Sequence, residues 1–301
     1  MRKNTMSKKH LSRNVDIFGG SDFHLEFAVK QRDFDVDALM PPVEIDVDAF
    51  NVCLLAGDIT VPKKTHRYVN WFETFCSKFD LVLYIEGNHE HWKGYVGQNF
   101  NRLKLKCSHI ENLHFLRRET FEFEVGGLGF SVVSATLWSD LGQNDYSSNY
   151  DLCVPSANYG RAIVQDFNFI RELKFGSFPR LKVPDYVRLH RDDVRFVEQE
   201  SNRLSSSENY KILLTHHSPT KRSLWKYDGH KPTYDAFDAT DLESLIKLGR
   251  FNIVFHGHIH RDVPLIENFH GALLASNPAG YGEIGKEGSN YRLIKLASIP
   301  V

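Results

Sequence analysis

The sequence predicts an α/β fold with parallel strands. Short apolar runs of strand length alternate with segments whose apolar residues recur at helical spacing, and this alternation is typical of βαβ units. Several runs end directly before Gly, Asp, Asn or His, at the position where open α/β sheets bind their ligands. The chain has 301 residues, of which 42% are apolar and 25% charged, and is long enough to bury a substantial core.

In the first half of the chain, four strands alternate with helices. The strands are predicted at residues 15–20, 52–56, 81–85 and 113–116. Residues 66–78 carry apolar side chains at helical spacing, and residues 92–107 can form a second helix. This order favours parallel strands joined by right-handed crossovers.

A hairpin is predicted in the middle of the chain, where Gly126-Gly127-Leu128 joins residues 121–125 and 129–134. A polar, aromatic-rich stretch follows, up to about residue 160. Two helices are predicted after it, over residues 161–174 and 185–204, with prolines between them as breakers. The closing strands are predicted at residues 211–214, 252–255, 265–266, 273–275 and 291–296.

The domain organisation follows from the lack of any apparent repeat, low-complexity tract or linker. We predict a flexible basic tail over residues 1–13 and a single domain over residues 14–301. Residues 140–184 are predicted to contain a lid segment over the candidate site.

Bulk properties exclude several classes of protein. The formal net charge of −1 gives no global field that would attract nucleic acid or an anionic membrane. The apolar runs fall far short of the roughly 20 residues that span a bilayer, and no signal-peptide pattern follows the basic N-terminus. Four cysteines without CxxC pairing are expected to be reduced thiols, which predicts a cytoplasmic protein.

Five motifs with metal-binding side chains each follow a strand-like run. They are Asp22-Phe23-His24, Gly57-Asp58, Gly87-Asn88-His89-Glu90, Thr215-His216-His217 and Gly257-His258-Ile259-His260. Because the carboxyl ends of parallel strands meet at one edge of a sheet, the five loops are expected to face one cavity. Glycines at 57, 87 and 257 permit tight turns and close approach of the backbone there.

The ligand types predict a centre with two transition-metal ions, divalent or trivalent. Mixed imidazole and carboxylate sites suit manganese, iron or zinc. Asp22, His24 and Asp58 with one late histidine can hold the first ion, and Asn88 and His216 with another late histidine can hold the second. Asp58 is expected to bridge them. A pair of ions roughly 3.5–4 Å apart can hold a bridging hydroxide that attacks a phosphoryl group.

His89 is expected to be the catalytic histidine that protonates the leaving oxygen, with Glu90 as a partner that orients it. Each motif also has a plain interpretation. Asp-x-His occurs often by chance, and Asp58 and Asn88 could be ordinary turn residues. Five such motifs in this order, each at a strand end, are improbable as a joint coincidence.

The ordered set resembles the calcineurin-like metallophosphoesterase superfamily, whose pattern is D-x-H, G-D, G-N-H-[DE], H and G-H-x-H. The resemblance covers about residues 14–297, and the chain looks like a member of a bacterial-type branch of stand-alone phosphoesterases. It extends to segments outside the ligands, among them Thr136-Leu137-Trp138-Ser139-Asp140 and Ser276-Asn277-Pro278-Ala279-Gly280-Tyr281.

The resemblance implies a four-layer αββα sandwich of two mixed β-sheets, with the dinuclear metal site at the sheet rim. It also implies a division of the ligands between the two ions. One ion would be held by Asp22, His24, Asp58 and His260, and the other by Asp58, Asn88, His216 and His258. His89 would be the catalytic histidine.

Other residues beside the motifs have two interpretations each. His217 either lines the substrate pocket or packs behind a ligand, and packing is favoured for His256. Trp138 and Asp140 are suggested to line the substrate pocket. For Trp138 the alternative is a place in the core. The segment that contains Tyr281 is either another rim loop or a plain turn.

The function expected from the sequence is hydrolysis of phosphomonoesters or phosphodiesters by a metal-dependent phosphoric ester hydrolase. The alternatives are a nuclease or a cyclic-nucleotide phosphodiesterase of the same superfamily, and an inert binding scaffold. Intact ligands and His89 argue against the scaffold, and near-zero net charge argues against the nuclease. The expected partner is a phosphoester substrate, with nucleic acid only as a substrate, no membrane and no obligate protein partner.

Overall fold

The architecture rests on two β-sheets in a computed structural model. It describes residues 14–28, 35–62, 65–142, 162–225, 234–281, 284 and 289–301, apart from the side chains of residues 65–67. The strands are β1 (Asn14–Gly20), β2 (Phe50–Ala56), β3 (Leu81–Ile85), β4 (Leu113–Leu116), β5 (Glu119–Val125), β6 (Leu128–Ala135), β7 (Tyr210–Thr215), β8 (Ile253–His256), β9 (Leu265–Phe269), β10 (Ala272–Ser276) and β11 (Ile294–Pro300).

Both sheets are mixed, with parallel strands at their centres. The first has the order β11-β1-β2-β3-β4, and the second has the order β5-β6-β7-β8-β10-β9. Strands β1 to β4 are parallel and β11 runs antiparallel at the edge. Strands β6, β7, β8 and β10 are parallel, and β5 and β9 are antiparallel edge strands. The carboxyl ends of the parallel strands therefore lie together.

Seven α-helices within the described residues accompany the sheets. They are α1 (Leu25–Ala28), α2 (Thr65–Cys76), α3 (Gln98–Lys106), α4 (Asp166–Phe169), α5 (Val183–Leu204), α6 (Asp235–Asp238) and α7 (Glu243–Gly249). Short 3-10 turns lie at Asp37–Leu39, His89–His91 and Lys221–Ser223. None of the described helices is long and apolar enough to cross a membrane.

Successive side chains along a strand point to opposite faces of its sheet, and this produces four layers. Leu54 of β2 packs between the sheets against Ile212 and Phe255, whereas its neighbour Leu55 packs against α2 and α3. On the far side, the outer face of the second sheet packs against α5 and α7 through side chains such as Val197. The predicted four-layer αββα sandwich is confirmed.

The structure departs from the prediction in two helices. The segment predicted as helix 92–107 is helical only from Gln98, because the residues before it form turns that end at Gly97. The predicted helix over 161–174 is wrong: only α4 is helical among its described residues. Arg171 forms bridges with Tyr95 and Arg180, so distant pairing holds the chain extended there.

Other predictions are confirmed, with one exception at Pro184. Gly126 and Gly127, both with positive φ, form the hairpin turn between β5 and β6. Pro184, predicted as a breaker before the helix over 185–204, instead lies in the first turn of α5, where its missing N–H costs nothing. The three cysteines in the described part of the chain, Cys53, Cys76 and Cys107, are buried free thiols, and Cys153 lies outside that part.

Candidate metal centre

The strand ends bring the motif residues of both sheets together. Asp22 and His24 follow β1, Asp58 follows β2, and Asn88 follows β3. His216 directly follows β7, while His258 and His260 follow β8. Backbone hydrogen bonds connect adjacent loops, from Asp22 N–H to the Gly57 carbonyl (3.0 Å) and from Gly257 N–H to the His216 carbonyl (3.0 Å).

Four of the candidate ligands have left-handed backbone conformations. The φ angles are 55° at Asp22, 46° at His24, 54° at Asp58 and 67° at His258. Non-glycine residues rarely adopt this region, because the side chain crowds the backbone. Such conformations concentrate at functional sites, where the surrounding structure compensates for the strain. The fold thus holds unfavourable backbone geometry at the residues predicted to bind metal.

Three groups of side chains could each hold a metal ion, because their ligand atoms lie within 4.8 Å of one another. The groups are Asp22, His24 and His260; His24, Asp58 and His89; and Asp58, His216 and His258. Asp58 occurs in two of them, which places it between the two halves of the centre. Its Oδ1 is 3.4 Å from His216 Nε2, and its Oδ2 is 3.9 Å from His24 Nε2.

Hydrogen bonds orient three imidazoles so that their Nε2 atoms face the centre. Nδ1 of His216 donates to the Ala56 carbonyl (2.8 Å). Nδ1 of His24 and of His89 donate to Glu26 Oε1, at 3.2 and 2.9 Å. An acceptor on Nδ1 leaves the Nε2 lone pair free, and this is how metal-binding histidines are usually held.

The inward-facing atoms fit a cation. Asn88 donates its Nδ2 to Asp166 Oδ1 (2.9 Å), so its Oδ1 points at His216 Nε2, only 2.9 Å away. Nε2 of His24 lies 3.2 Å from Nε2 of His260. Neutral imidazoles in these orientations would present Nε2 electron pairs to the centre, where a bound cation can replace a proton. The residues present therefore fit a metal centre.

The electrostatics of the centre support the same conclusion. Burial opposes ionisation of Asp58, but the surrounding histidines outweigh it and hold its pKa well below the usual range. Burial also lowers the pKa of His216, but Asp58 reverses this and raises it to about 10. The buried carboxylates thus stabilise a positive charge on the His216 imidazole. A bound cation could supply this charge in place of the proton.

Glu26 and Trp92 fix the position of His89. Burial would raise the pKa of Glu26, but its bonds to His24 and His89 outweigh burial and lower it to about 2, so the carboxylate is ionised. Burial lowers the pKa of His89, but Asp58 and Glu26 outweigh that effect and raise it. The His89 ring stacks on Trp92 with 3.6 Å between ring centroids.

Glu90 does not orient His89, contrary to the expectation from sequence. Its carboxylate accepts from the backbone N–H groups of Asp58 (2.9 Å), Ile59 (2.8 Å) and Gly87 (2.7 Å), and from the Tyr84 hydroxyl (2.6 Å). Because both oxygens are occupied, Glu90 ties the loop after β2 to the loop after β3. The partner of His89 is Glu26.

A cavity of about 280 Å³ opens on the centre. Asp58, Asn88, His89, His258 and His260 line it. Part of the predicted lid segment, residues 163–166, also lines it, and the rest of that segment between residues 143 and 161 lies outside the described residues. Asp166 of this segment accepts from Trp92 Nε1 (2.7 Å) as well as from Asn88.

The three residues suggested for the substrate pocket lie behind the centre and are not among the residues that line this cavity. Trp138 and His217 are buried, with 5.9 Å between their ring centroids, as the packing interpretation requires. Asp140 accepts from the Gly142 N–H (2.8 Å) in a turn. His256 is also buried, and its ring bonds Ser223 (2.8 Å).

The sequence also places this centre in a known family. A model of the calcineurin-like phosphoesterase family matches residues 21–262. The chain belongs to this family. All five motifs lie inside the matched region. The chain has no significant match among curated protein sequences.

Solved structures are similar to this family member at low sequence identity, and the first of them shares its fold. Phosphopantetheinyl hydrolase from Mycobacterium tuberculosis is 13% identical, with 94% of this chain and 97% of that chain covered and a TM-score of 0.62. TT1561 of Thermus thermophilus is 13% identical over 95% and 99% of the two chains, with a TM-score of 0.48. The 5'-nucleotidase precursor from the same organism is 11% identical over 90% and 50%, with a TM-score of 0.43.

Membership of the calcineurin-like phosphoesterase family gives phosphoester hydrolysis as the general activity and divalent metals as the general cofactor. The candidate ligand groups agree with that cofactor. The family pattern contains no position for Glu26, Trp92 or Asp166. The first two lie close in sequence to motif residues, but no spacing rule singles them out.

Proposed function

We propose that this chain hydrolyses phosphomonoesters or phosphodiesters at a centre that holds two divalent ions. One ion would be held by Asp22, His24, Asp58 and His260, and the other by Asp58, Asn88, His216 and His258. The observation that carries the proposal is the set of Nε2 and carboxylate atoms that face one another from both sheets. When bound, the ions supply Lewis-acid activation of the phosphoryl group and of the attacking water.

The residues of the chain would position the substrate and move one proton. Asp58, whose carboxylate lies close to both His24 and His216, would be shared between the two proposed ligand sets and would fix their separation. His89 lies at the cavity, and Asp58 accepts its backbone N–H (2.8 Å). With Nδ1 bonded to Glu26, only Nε2 is available to protonate the leaving oxygen. The residues at 163–166 would limit water access from above the cavity.

A comparison of Asp58→Ala, His89→Ala and His270→Ala tests the proposal in the manganese-loaded protein. The wild type should bind about two ions per chain and hydrolyse p-nitrophenyl phosphate or its bis-ester. His89→Ala should retain the ions and lose roughly 10²–10⁴-fold in kcat, the usual contribution of general acid catalysis. Asp58→Ala should lose both ions, since one carboxylate serves both.

His270 provides the matched control. It is an exposed histidine paired with Glu243 (3.2 Å), distant from the centre, and His270→Ala should keep both metal content and kcat. Elemental analysis and steady-state kinetics with both substrates give the readout. A wild type that binds no metal, or a His89→Ala protein with full activity, would refute the proposal.

A further inference from the structure

A second, larger cavity adjoins the proposed metal centre. Its volume is about 850 Å³, and it shares Trp225, His260 and Tyr281 with the smaller cavity. Inorganic phosphate would fill only a small part of this space, which has the size of a site for a whole small molecule. A substrate whose phosphoryl group lies at the centre therefore has room for a sizeable leaving group beside it.

Arg261 gives one wall of the larger cavity a positive charge that no hydrogen-bonded carboxylate neutralises among the described residues. Its Nε and Nη1 are buried and have no hydrogen-bond partner among the described residues. The guanidinium lies 4.8 Å from the centroid of the Trp225 ring, so an aromatic face, and not a carboxylate, is its close neighbour. A half-buried guanidinium whose Nε and Nη1 lack hydrogen-bond acceptors is unfavourable, and an anion that enters the cavity would relieve that cost.

The other charged residues that line the larger cavity also favour a bound anion. Arg292 also lines the cavity. Its carboxylate partner Glu44 is 3.4 Å away with a 93% exposed side chain, so water screens the pair. Asp262 is the acidic side chain among the lining residues that the structure describes, and it is exposed to solvent. Among the described lining residues, two arginines and one solvated carboxylate leave a net positive charge on this wall.

We infer that this cavity binds a second anionic group, a phosphate or a carboxylate, carried by the leaving group of the substrate. The inference rests on the proposed function and narrows its substrate class to phosphoesters with two anionic groups. Arg261 directly follows His260, so the second anion would lie beside a proposed metal ligand. The planar fork of an arginine suits either oxyanion.

Binding of phosphonates tests the inference without any catalytic step. Isothermal titration of the manganese-loaded full chain compares alkylphosphonates of three to six carbons with the α,ω-bisphosphonates and the ω-carboxyalkylphosphonates of the same lengths. The carbon–phosphorus bond is not hydrolysed, and the range of lengths covers the spacing between the two anions. We expect a series with two anionic groups to bind at least about tenfold more tightly than its match with one, at the best length.

The two series with a second anionic group distinguish the source of that anion. Tighter binding of the bisphosphonates would assign a phosphate, and tighter binding of the carboxyalkylphosphonates would assign a carboxylate. Equal binding of all three series at every length would overturn the inference. Hydrolysis of p-nitrophenyl phosphate by the same preparation reports on the proposed function separately, so failure of one is not mistaken for failure of the other.

Variants assign the preference to Arg261. Arg261→Gln should abolish the advantage of the second anionic group, and Arg261→Lys should retain part of it because the charge remains. The control is Arg195→Gln: Arg195 pairs with Asp192 (3.8 Å), has a 67% exposed side chain and does not line the cavity, so the advantage should persist. An undiminished advantage in both Arg261 variants would also overturn the inference.

Discussion

Glu26 serves two histidines with one carboxylate oxygen. Oε1 accepts from Nδ1 of His24 and of His89, and Oε2 accepts from the Val61 N–H (3.2 Å). A proposed metal ligand and the proposed proton donor are therefore positioned by the same side chain. Any change in the charge of Glu26 should disturb metal affinity and turnover together.

Glu26→Gln should lower both metal affinity and kcat by roughly 10–100-fold, the usual effect of losing the hydrogen-bond partner of a metal-binding histidine. The amide keeps the size of the side chain and one acceptor oxygen but removes the negative charge. Metal titration followed by kinetics at saturating metal separates the two effects. Glu73→Gln, at an exposed glutamate paired with His109, should change neither quantity. Turnover unchanged at saturating metal would contradict a role for Glu26 in positioning His89.

The candidate ligands are predictable from the sequence, but the residues that hold them are not. Ligands follow strands directly, so motif and strand end identify them together. Asp166 lies 78 positions from Asn88, whose amide it orients, and it belongs to a segment for which the sequence predicts a longer helix. Only the tertiary fold brings such partners together. Proximity in sequence pairs Glu90 with His89, whereas the folded chain directs the Glu90 carboxylate to backbone N–H groups.

At the scale of elements, the turns after the strands determine the geometry of the centre. A Cβ at Gly87 would lie 2.2 Å from Asp58 Oδ1 and 2.8 Å from His216 Cε1. Neither neighbour can move without displacing a proposed ligand. The loop after β3 therefore approaches the loop after β2 more closely than a side chain at position 87 would permit.

Gly87→Ala should lower kcat by roughly 10²-fold, because misplacement of catalytic groups by about 1 Å has that effect. Metal content should fall in the same variant, whereas the far-UV circular dichroism should not change. Gly127→Ala is the matched control: its φ is +91° and a Cβ there meets nothing within 4 Å. It should cost about 1–2 kcal/mol of stability through backbone strain alone and leave kcat intact. Equal loss of activity in both variants would show that the turn after β3 has no special role.

The positions of the central strands can be predicted from the sequence. Each of these strands is buried along most of its length, so it appears as a short continuous run of apolar residues. β2 and β3 are buried almost throughout, and their apolar runs are visible in the sequence. The segment around Arg171 is not predictable in this way, because its extended form depends on bridges to Tyr95 and Arg180. Pairing with distant residues outweighs helical spacing within that segment.

At the scale of the whole molecule, the centre joins the two sheets at one rim. Asp22 and Asp58 come from the first sheet, and His216 and His258 come from the second. The apolar layer between the sheets holds them together elsewhere. At the rim, contact depends on polar and charged groups, and these repel one another in part unless a cation lies between them. Metal binding should therefore stabilise the packing of one sheet on the other.

Removal of metal should lower the thermal stability of the whole chain. A ligand that binds only the folded state at about 100 times its Kd adds about 2.7 kcal/mol to the free energy of unfolding. For a chain of this size each kcal/mol corresponds to roughly 2–4 °C in Tm, so EDTA should lower Tm by roughly 5–10 °C. Differential scanning calorimetry with and without EDTA measures the shift. In Asp58→Ala, which should not bind the ions, EDTA should have no effect; a shift as large as in the wild type would mean that the stabilising metal binds elsewhere.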